Sequence, residues 1–171
     1  MNIKALIFDR DGTIIYNKHY LSDPKKVELI PGSKEAFQLL KHSKLLLFLH
    51  TNQSGVSRKL MSKEDVILVN KQMFKLLEIE ESCFQRICIS YEKEFSEINY
   101  RKPSLKLINE ICRDYDITYR NIAYVGDSMC ELEISLKTGC TFYEIRADDK
   151  PPLTNKFYNS IYELPFFKEN F

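Results

Sequence analysis

At 171 residues, with 44% apolar and 29% charged side chains, the chain is long enough to bury a substantial core in one domain. A formal net charge of +1 removes any global electrostatic case for nucleic acid or a membrane surface, and the longest apolar run, Leu45 to Leu49, is far too short to span a bilayer. Met1-Asn2-Ile3-Lys4 carries no secretory pattern, and five cysteines (Cys83, Cys88, Cys112, Cys130, Cys140) form no CxxC pair, so free thiols and a cytoplasmic protein are expected.

In chain order, residues 3–8 read as a buried strand that stops at Asp9-Arg10-Asp11-Gly12. After Pro31-Gly32, residues 33–41 set Ala36, Phe37, Leu39 and Leu40 at helical spacing. Residues 44–50, "KLLLFLH", read as a second strand and lead into Thr51-Asn52-Gln53-Ser54. The clearest helix spans 62–77: Ser62 and Asp65 resemble a capping box, and Val66, Val69, Met73, Leu76 and Leu77 recur on one face. A third strand at 86–90 precedes a helix over 104–115, with Leu105, Ile108, Ile111, Cys112 and Tyr115 on one side. A fourth strand at 121–125 runs into Gly126-Asp127-Ser128, a weaker helical pattern follows at 129–138, and a fifth strand occupies 140–145. From Asp148 onward the chain is rich in proline and aromatics (Pro151, Pro152, Pro165, Phe166, Phe167) and reads as an irregular tail.

Strands alternating with helices, the strands apolar almost throughout, imply βαβ units and a parallel sheet covered on both faces: an α/β fold, one domain over 1–171. Ligands of such sheets bind beyond the carboxyl ends of the strands. Small polar and acidic residues collect at three of those ends: Asp9 to Asp11, Thr51 to Ser54, and Gly126 to Ser128.

Two carboxylates at a strand mouth repel one another, and Asp127 from another strand end adds a third. A hard divalent cation relieves that repulsion, and Mg²⁺ takes one or two carboxylates, waters and phosphate oxygens. A carboxylate can also attack phosphorus, while a second acid protonates the leaving oxygen and then activates water. Thr51, the "TNQSG" turn and Lys102 in "YRKPS" offer a hydroxyl, backbone N–H groups and an ammonium for a phosphoryl group.

The segments "DRDGT", "TNQSG", "RKP" and "GDSMCE", in this order, resemble the four motifs of the haloacid dehalogenase (HAD) superfamily of phosphatases, over roughly residues 5 to 145. "DRDGTII", "HYLSDPKKVELIPG" and "TNQSGVSRK" are similar to its small-capped branch, which holds heptose-bisphosphate and histidinol-phosphate phosphatases. The resemblance implies a Rossmann-like three-layer fold with a minimal cap and Mg²⁺ as cofactor. By that resemblance Asp9 is the nucleophile, Asp11 the acid/base, and Thr51 and Lys102 bind the phosphoryl group. The metal is held by Asp9, by Asp11 (also through its main-chain carbonyl) and by Asp127, with Glu131 behind them through water. Asn52, Arg58 and Arg101 match substrate-contacting positions, and Arg10 is expected to point away from the metal.

Two positions depart from the branch. Its zinc loop, Cys-x-His then Cys-x-Cys, here reads Cys88-Ile89-Ser90 and Ile98-Asn99-Tyr100, so zinc is not expected. Lys59 stands where a glycine usually follows the arginine. The resulting expectation is a monomeric, Mg²⁺-dependent phosphomonoester hydrolase working through an aspartyl-phosphate on a small phosphorylated metabolite, foremost a sugar bisphosphate. Its specificity would lie in loops 16–30, 54–59 and 91–101. The competing readings are a histidinol-phosphate phosphatase, a polynucleotide 3′-phosphatase and a catalytically silent phosphate-binding protein of the same fold.

Overall fold

β1 (Ala5–Phe8) is buried at every position, and its side chains alternate between two separate cores. Leu6 and Phe8 join Leu47, Leu49, Ala123 and Val125 on one face, while Ala5 and Ile7 join Phe48, Ile122 and Tyr124 on the other. A strand apolar on both faces must be covered on both. This computed structural model describes residues 2–147, 151–165 and 167.

Among the described residues one all-parallel sheet runs in the order β3-β2-β1-β4-β5-β6, with β2 Leu46–Asn52, β3 Arg86–Ser90, β4 Ile122–Gly126, β5 Thr141–Ile145 and β6 Phe157–Tyr158. Helices α1 (Ser33–Leu40) and α2 (Lys63–Leu77) cover the first face through Ala36, Phe37, Leu40, Val69, Met73 and Leu77. Helices α3 (Lys106–Asp114) and α4 (Met129–Thr138) cover the second through Leu107, Ile108, Ile111 and Ile134. Each fully buried Leu, Ile or Phe contributes about 1.5–3 kcal/mol, so both layers are held by apolar burial.

The chain moves outward from β1 to β2 to β3, then crosses back to place β4 on the other side of β1. That reversal is the topological switch point, where α/β sheets open a crevice for ligands. Helix starts are fixed locally. Ser62 accepts a hydrogen bond from Asp65 N (3.0 Å) while Asp65 Oδ2 accepts from Ser62 N (2.8 Å), the reciprocal box that the sequence forecast. Between β1 and α1 the chain makes a small excursion closed by an antiparallel bridge between Ile15 and Leu29, with a 3₁₀ turn at Pro24–Lys26. This is the minimal cap.

The expected irregular tail is corrected. Residues 157–158 add the short strand β6 to β5, a 3₁₀ turn follows at Ile161–Glu163, and Ile161, Leu164 and Phe167 complete the first core. Two residues are too few for a strand signal, which is why β6 is invisible to periodicity. Asp148 and Phe166, named in that tail, lie outside the described residues. No helix among the described residues is long and apolar enough to cross a membrane.

Candidate active site

Asp9 is the first residue past β1, tied in place by its N–H, which donates to Val125 O of β4 at 2.9 Å. Its side chain is buried, and Oδ1 accepts a hydrogen bond from Lys102 Nζ at 2.5 Å. Burial drives the carboxyl up to about 8; Lys102 opposes this, while Glu131, Asp127 and Asp11 push upward with burial. Lys102, itself 3% exposed, also meets Glu131 Oε1 at 2.6 Å. Burial works against its ammonium, but the two carboxylates outweigh that and hold it above its ordinary value.

Asp11 is turned toward Arg10, whose guanidinium lies on the α2 side of the strand end. Arg10 Nε donates to Asp11 Oδ2 at 3.0 Å and Nη2 to Oδ1 at 3.1 Å, a forked contact, while Nη1 reaches Asn70 Oδ1 of α2 at 2.8 Å. Gln53 Nε2 completes the cradle, donating to Asp11 Oδ2 (2.7 Å) and Thr51 Oγ1 (2.9 Å). Arg10 is 1% exposed, and a buried guanidinium must find a carboxylate. The adjacent one is Asp11. The sequence held one missed clue: Asn70 interrupts the apolar face of α2, and a polar residue there demands a buried partner.

Asn52 does not project a free amide. Its Oδ1 accepts from Lys102 N (3.0 Å) and its Nδ2 donates to Lys102 O (3.2 Å), so it clamps the lysine's main chain. His50 supports the same segment: Nε2 donates to the Tyr100 carbonyl at 2.6 Å, and Nδ1 accepts from the Tyr124 hydroxyl. Burial, helped by Lys102, lowers its pKa to about 3 and keeps it neutral.

Asp127 follows β4 and packs against the chain at Gly12. A Cβ on Gly12, whose φ is +85°, would lie 2.1 Å from Asp127 Oδ2. Glu131, which the resemblance sets behind a water, makes direct contacts here. It is fully buried, its Oε2 accepts from Ser128 N (3.0 Å) and Ser128 Oγ (2.5 Å) as the cap of α4, and its Oε1 holds Lys102. Gly126 leaves room for it: a Cβ there would sit 2.6 Å from Glu131 Cγ.

A cavity of about 510 Å³ opens over these groups, lined by Asp9, Asp11, Thr51, Asn52, Lys102 and Asp127, with Asn17, Ser128, Arg146, Pro151 and Leu153. A smaller neighbour of about 190 Å³ continues along residues 17–21 and 52–55. Loops 16–30 and 54–59 therefore border the site in part. Loop 91–101 does not line either cavity; Phe95 and Glu97 face a separate one beside α3. Arg58 is exposed and lines neither cavity, and Arg101 Nη1 donates to Glu92 O at 3.0 Å, inside its own loop. Lys59 has φ +59°, a left-handed conformation that explains a glycine preference at this position. Cys88, the one retained cysteine of the loop pattern, is buried in β3, and burial pushes its thiol up to about 12.

The donors facing the main cavity are carboxylate oxygens, a hard set suited to Mg²⁺. Among the described residues no three His, Cys, Asp or Glu side chains close into a cage. Mg²⁺ is ordinarily held by one or two carboxylates with waters and substrate oxygens, and Asp9 with Asp127 provides two. Burial is the main cause that lifts Asp9, and the charges of Glu131, Asp127 and Asp11 add to it; a dication would offset those charges, so these residues fit the ion. The Asp11 carboxylate is engaged by Arg10 and Gln53, so its main chain would be the part of Asp11 left for such a set.

The family profile described as polynucleotide kinase 3 phosphatase matches residues 4–146. Over 152 residues the chain is 26% identical to a D-glycero-beta-D-manno-heptose-1,7-bisphosphate 7-phosphatase of Rhodopseudomonas palustris, covering 85% of this chain and 84% of that protein. It is 32% identical over 134 residues to a protein of the same name from Helicobacter pylori, covering 75% of each. The crystal structure of D,D-heptose 1,7-bisphosphate phosphatase from B. bronchiseptica, complexed with magnesium and phosphate, superposes with a TM-score of 0.76 at 23% identity over 94% of both chains. That last likeness is one of fold.

Proposed function

The chain belongs to the polynucleotide kinase 3 phosphatase family of HAD-type phosphatases, and on that premise we propose that it removes a phosphate from a small sugar bisphosphate, foremost the 7-phosphate of D-glycero-D-manno-heptose 1,7-bisphosphate. The observation that carries the reading is the buried pair of Asp9 and Lys102 at the floor of a cavity large enough for a phosphorylated sugar. The names of the relatives support the sugar.

In this reading residues 1–171 act as one catalytic domain. Asp9, with Oδ1 held by Lys102, attacks phosphorus through Oδ2 and becomes the aspartyl-phosphate. Asp11 gives a proton to the leaving oxygen, then takes one from the water that releases phosphate. Arg10 and Gln53 orient that carboxyl, and Thr51 donates its hydroxyl to a phosphoryl oxygen. Glu131 and Asn52 act through Lys102, fixing its ammonium and its main chain respectively. Mg²⁺, held by Asp9, Asp127 and the main chain of Asp11, would neutralise phosphoryl charge and fix its orientation.

The profile match supports a second reading, a polynucleotide 3′-phosphatase. A net charge of +1 weighs against it, since strand binding draws on a basic surface. The test is kcat/KM for heptose bisphosphate, histidinol phosphate and a 3′-phosphorylated oligonucleotide, with EDTA and with added Mg²⁺. The reading expects heptose bisphosphate to lead and turnover to vanish in EDTA and return with Mg²⁺. A lead for either other substrate overturns the sugar assignment, and no turnover on any substrate with Mg²⁺ favours a silent binder.

A further inference from the structure

Among the described residues two cationic side chains line the main cavity, Lys102 and Arg146. Lys102 is spent on Asp9 and Glu131. A bisphosphate brings a second dianion, and the two arginines that sequence reasoning offered for the rim, Arg58 and Arg101, do not line the cavity. Arg146 does, from the carboxyl end of β5, with 7% exposure.

Its setting is built. Glu144, two residues earlier on β5, is fully buried, and its Oε1 accepts from Arg146 Nε (2.7 Å) and Leu153 N (2.7 Å). Its Oε2 accepts from Thr154 N (2.8 Å) and Thr154 Oγ1 (2.6 Å). Glu144 thus bonds the returning segment across the sheet end, where Pro151 and Leu153 form a cavity wall, and it fixes one edge of the guanidinium. Anchoring that segment needs only the carboxylate. Arg146 supplies the counter-charge that buried Glu144 requires, and it also lines the cavity, which a purely structural ion pair would not need. A planar guanidinium with further N–H donors is the side chain best matched to a phosphate.

We propose that Arg146 receives the second phosphate of the substrate, the one left uncleaved, and so selects bisphosphates over monophosphates. The proposal rests on the sugar-bisphosphate reading. It is tested by the ratio of kcat/KM for heptose 1,7-bisphosphate to that for heptose 7-phosphate in the parent, Arg146→Gln and Arg146→Lys. The parent is expected to favour the bisphosphate, and Arg146→Gln to lower the ratio roughly tenfold or more, chiefly through KM, as loss of a charged hydrogen bond would. Arg146→Lys, which keeps a cation for Glu144 but loses the fork, should fall between them, and it decides the question if Arg146→Gln does not fold. A parental preference that survives in Arg146→Lys and in any folded Arg146→Gln overturns this inference and leaves the sugar reading standing. A parent without preference overturns both.

Discussion

Asp127 packs against Gly12 so closely that a methyl group on Gly12 would lie 2.1 Å from Asp127 Oδ2. Two motifs far apart in sequence are thereby held in register, and the backbone of one has no room for a side chain because the other's carboxylate is there. Gly12→Ala must displace Asp127 and also adopt φ +85°, a left-handed conformation that costs a non-glycine residue about 1–2 kcal/mol. Steady-state kinetics of the variant should show kcat down at least roughly tenfold. Parental kcat would mean that the position of Asp127 is not needed for turnover.

Lys102 bridges Asp9 and Glu131 in a buried setting, so Lys102→Met leaves two facing carboxylates without a counter-charge. Urea denaturation should register a loss of about 3–5 kcal/mol, the usual consequence of breaking a buried pair on one side. Neutralising the partners in Asp9→Asn/Lys102→Met/Glu131→Gln should recover most of the stability and none of the activity. If the single variant is as stable as the parent, the buried-network description is wrong.

His50 titrates near 3 in the folded protein against 6.5 in its ordinary state. Between those values the unfolded chain binds a proton that the folded one refuses, so stability is complete above pH 6.5 and falls as pH drops. The slope from this group approaches about 1.4 kcal/mol per pH unit. Melting temperatures of the parent and His50→Gln from pH 7 to 4 should therefore converge as pH falls. Parallel curves would contradict a buried, neutral histidine.

Lys59 holds φ +59° on an exposed turn. Lys59→Gly removes left-handed strain worth about 1 kcal/mol and should raise the melting temperature. An unchanged or lower value would show that the lysine makes compensating contacts.

How much of this was legible depended on whether the signal was local. Val66, Val69, Met73 and Leu77 on one helical face, and strands such as β1 that are apolar almost throughout, carry their burial in their pattern, and five strands and four helices fell where that pattern put them. The strand-end rule collected Asp9, Thr51, Asn52 and Asp127 from the order of residues alone. What stayed hidden was pairing across distance. That Asn52 clamps Lys102, that Arg10 turns inward to Asp11 and Asn70, and that Glu144 ties Arg146 to residues 153–154 are facts of three-dimensional neighbourhood. The tail misled for the opposite reason: its prolines signalled irregularity, while Ile161 and Leu164 are apolar residues that a core takes up.

The central claim is that Asp9 attacks phosphorus, and turnover of Asp9→Asn under saturating Mg²⁺ and sugar bisphosphate tests it most directly. Without a nucleophilic carboxylate, kcat should fall by roughly 10⁴-fold or more, while circular dichroism matches the parent. Turnover at the parental rate in the folded variant would contradict the account.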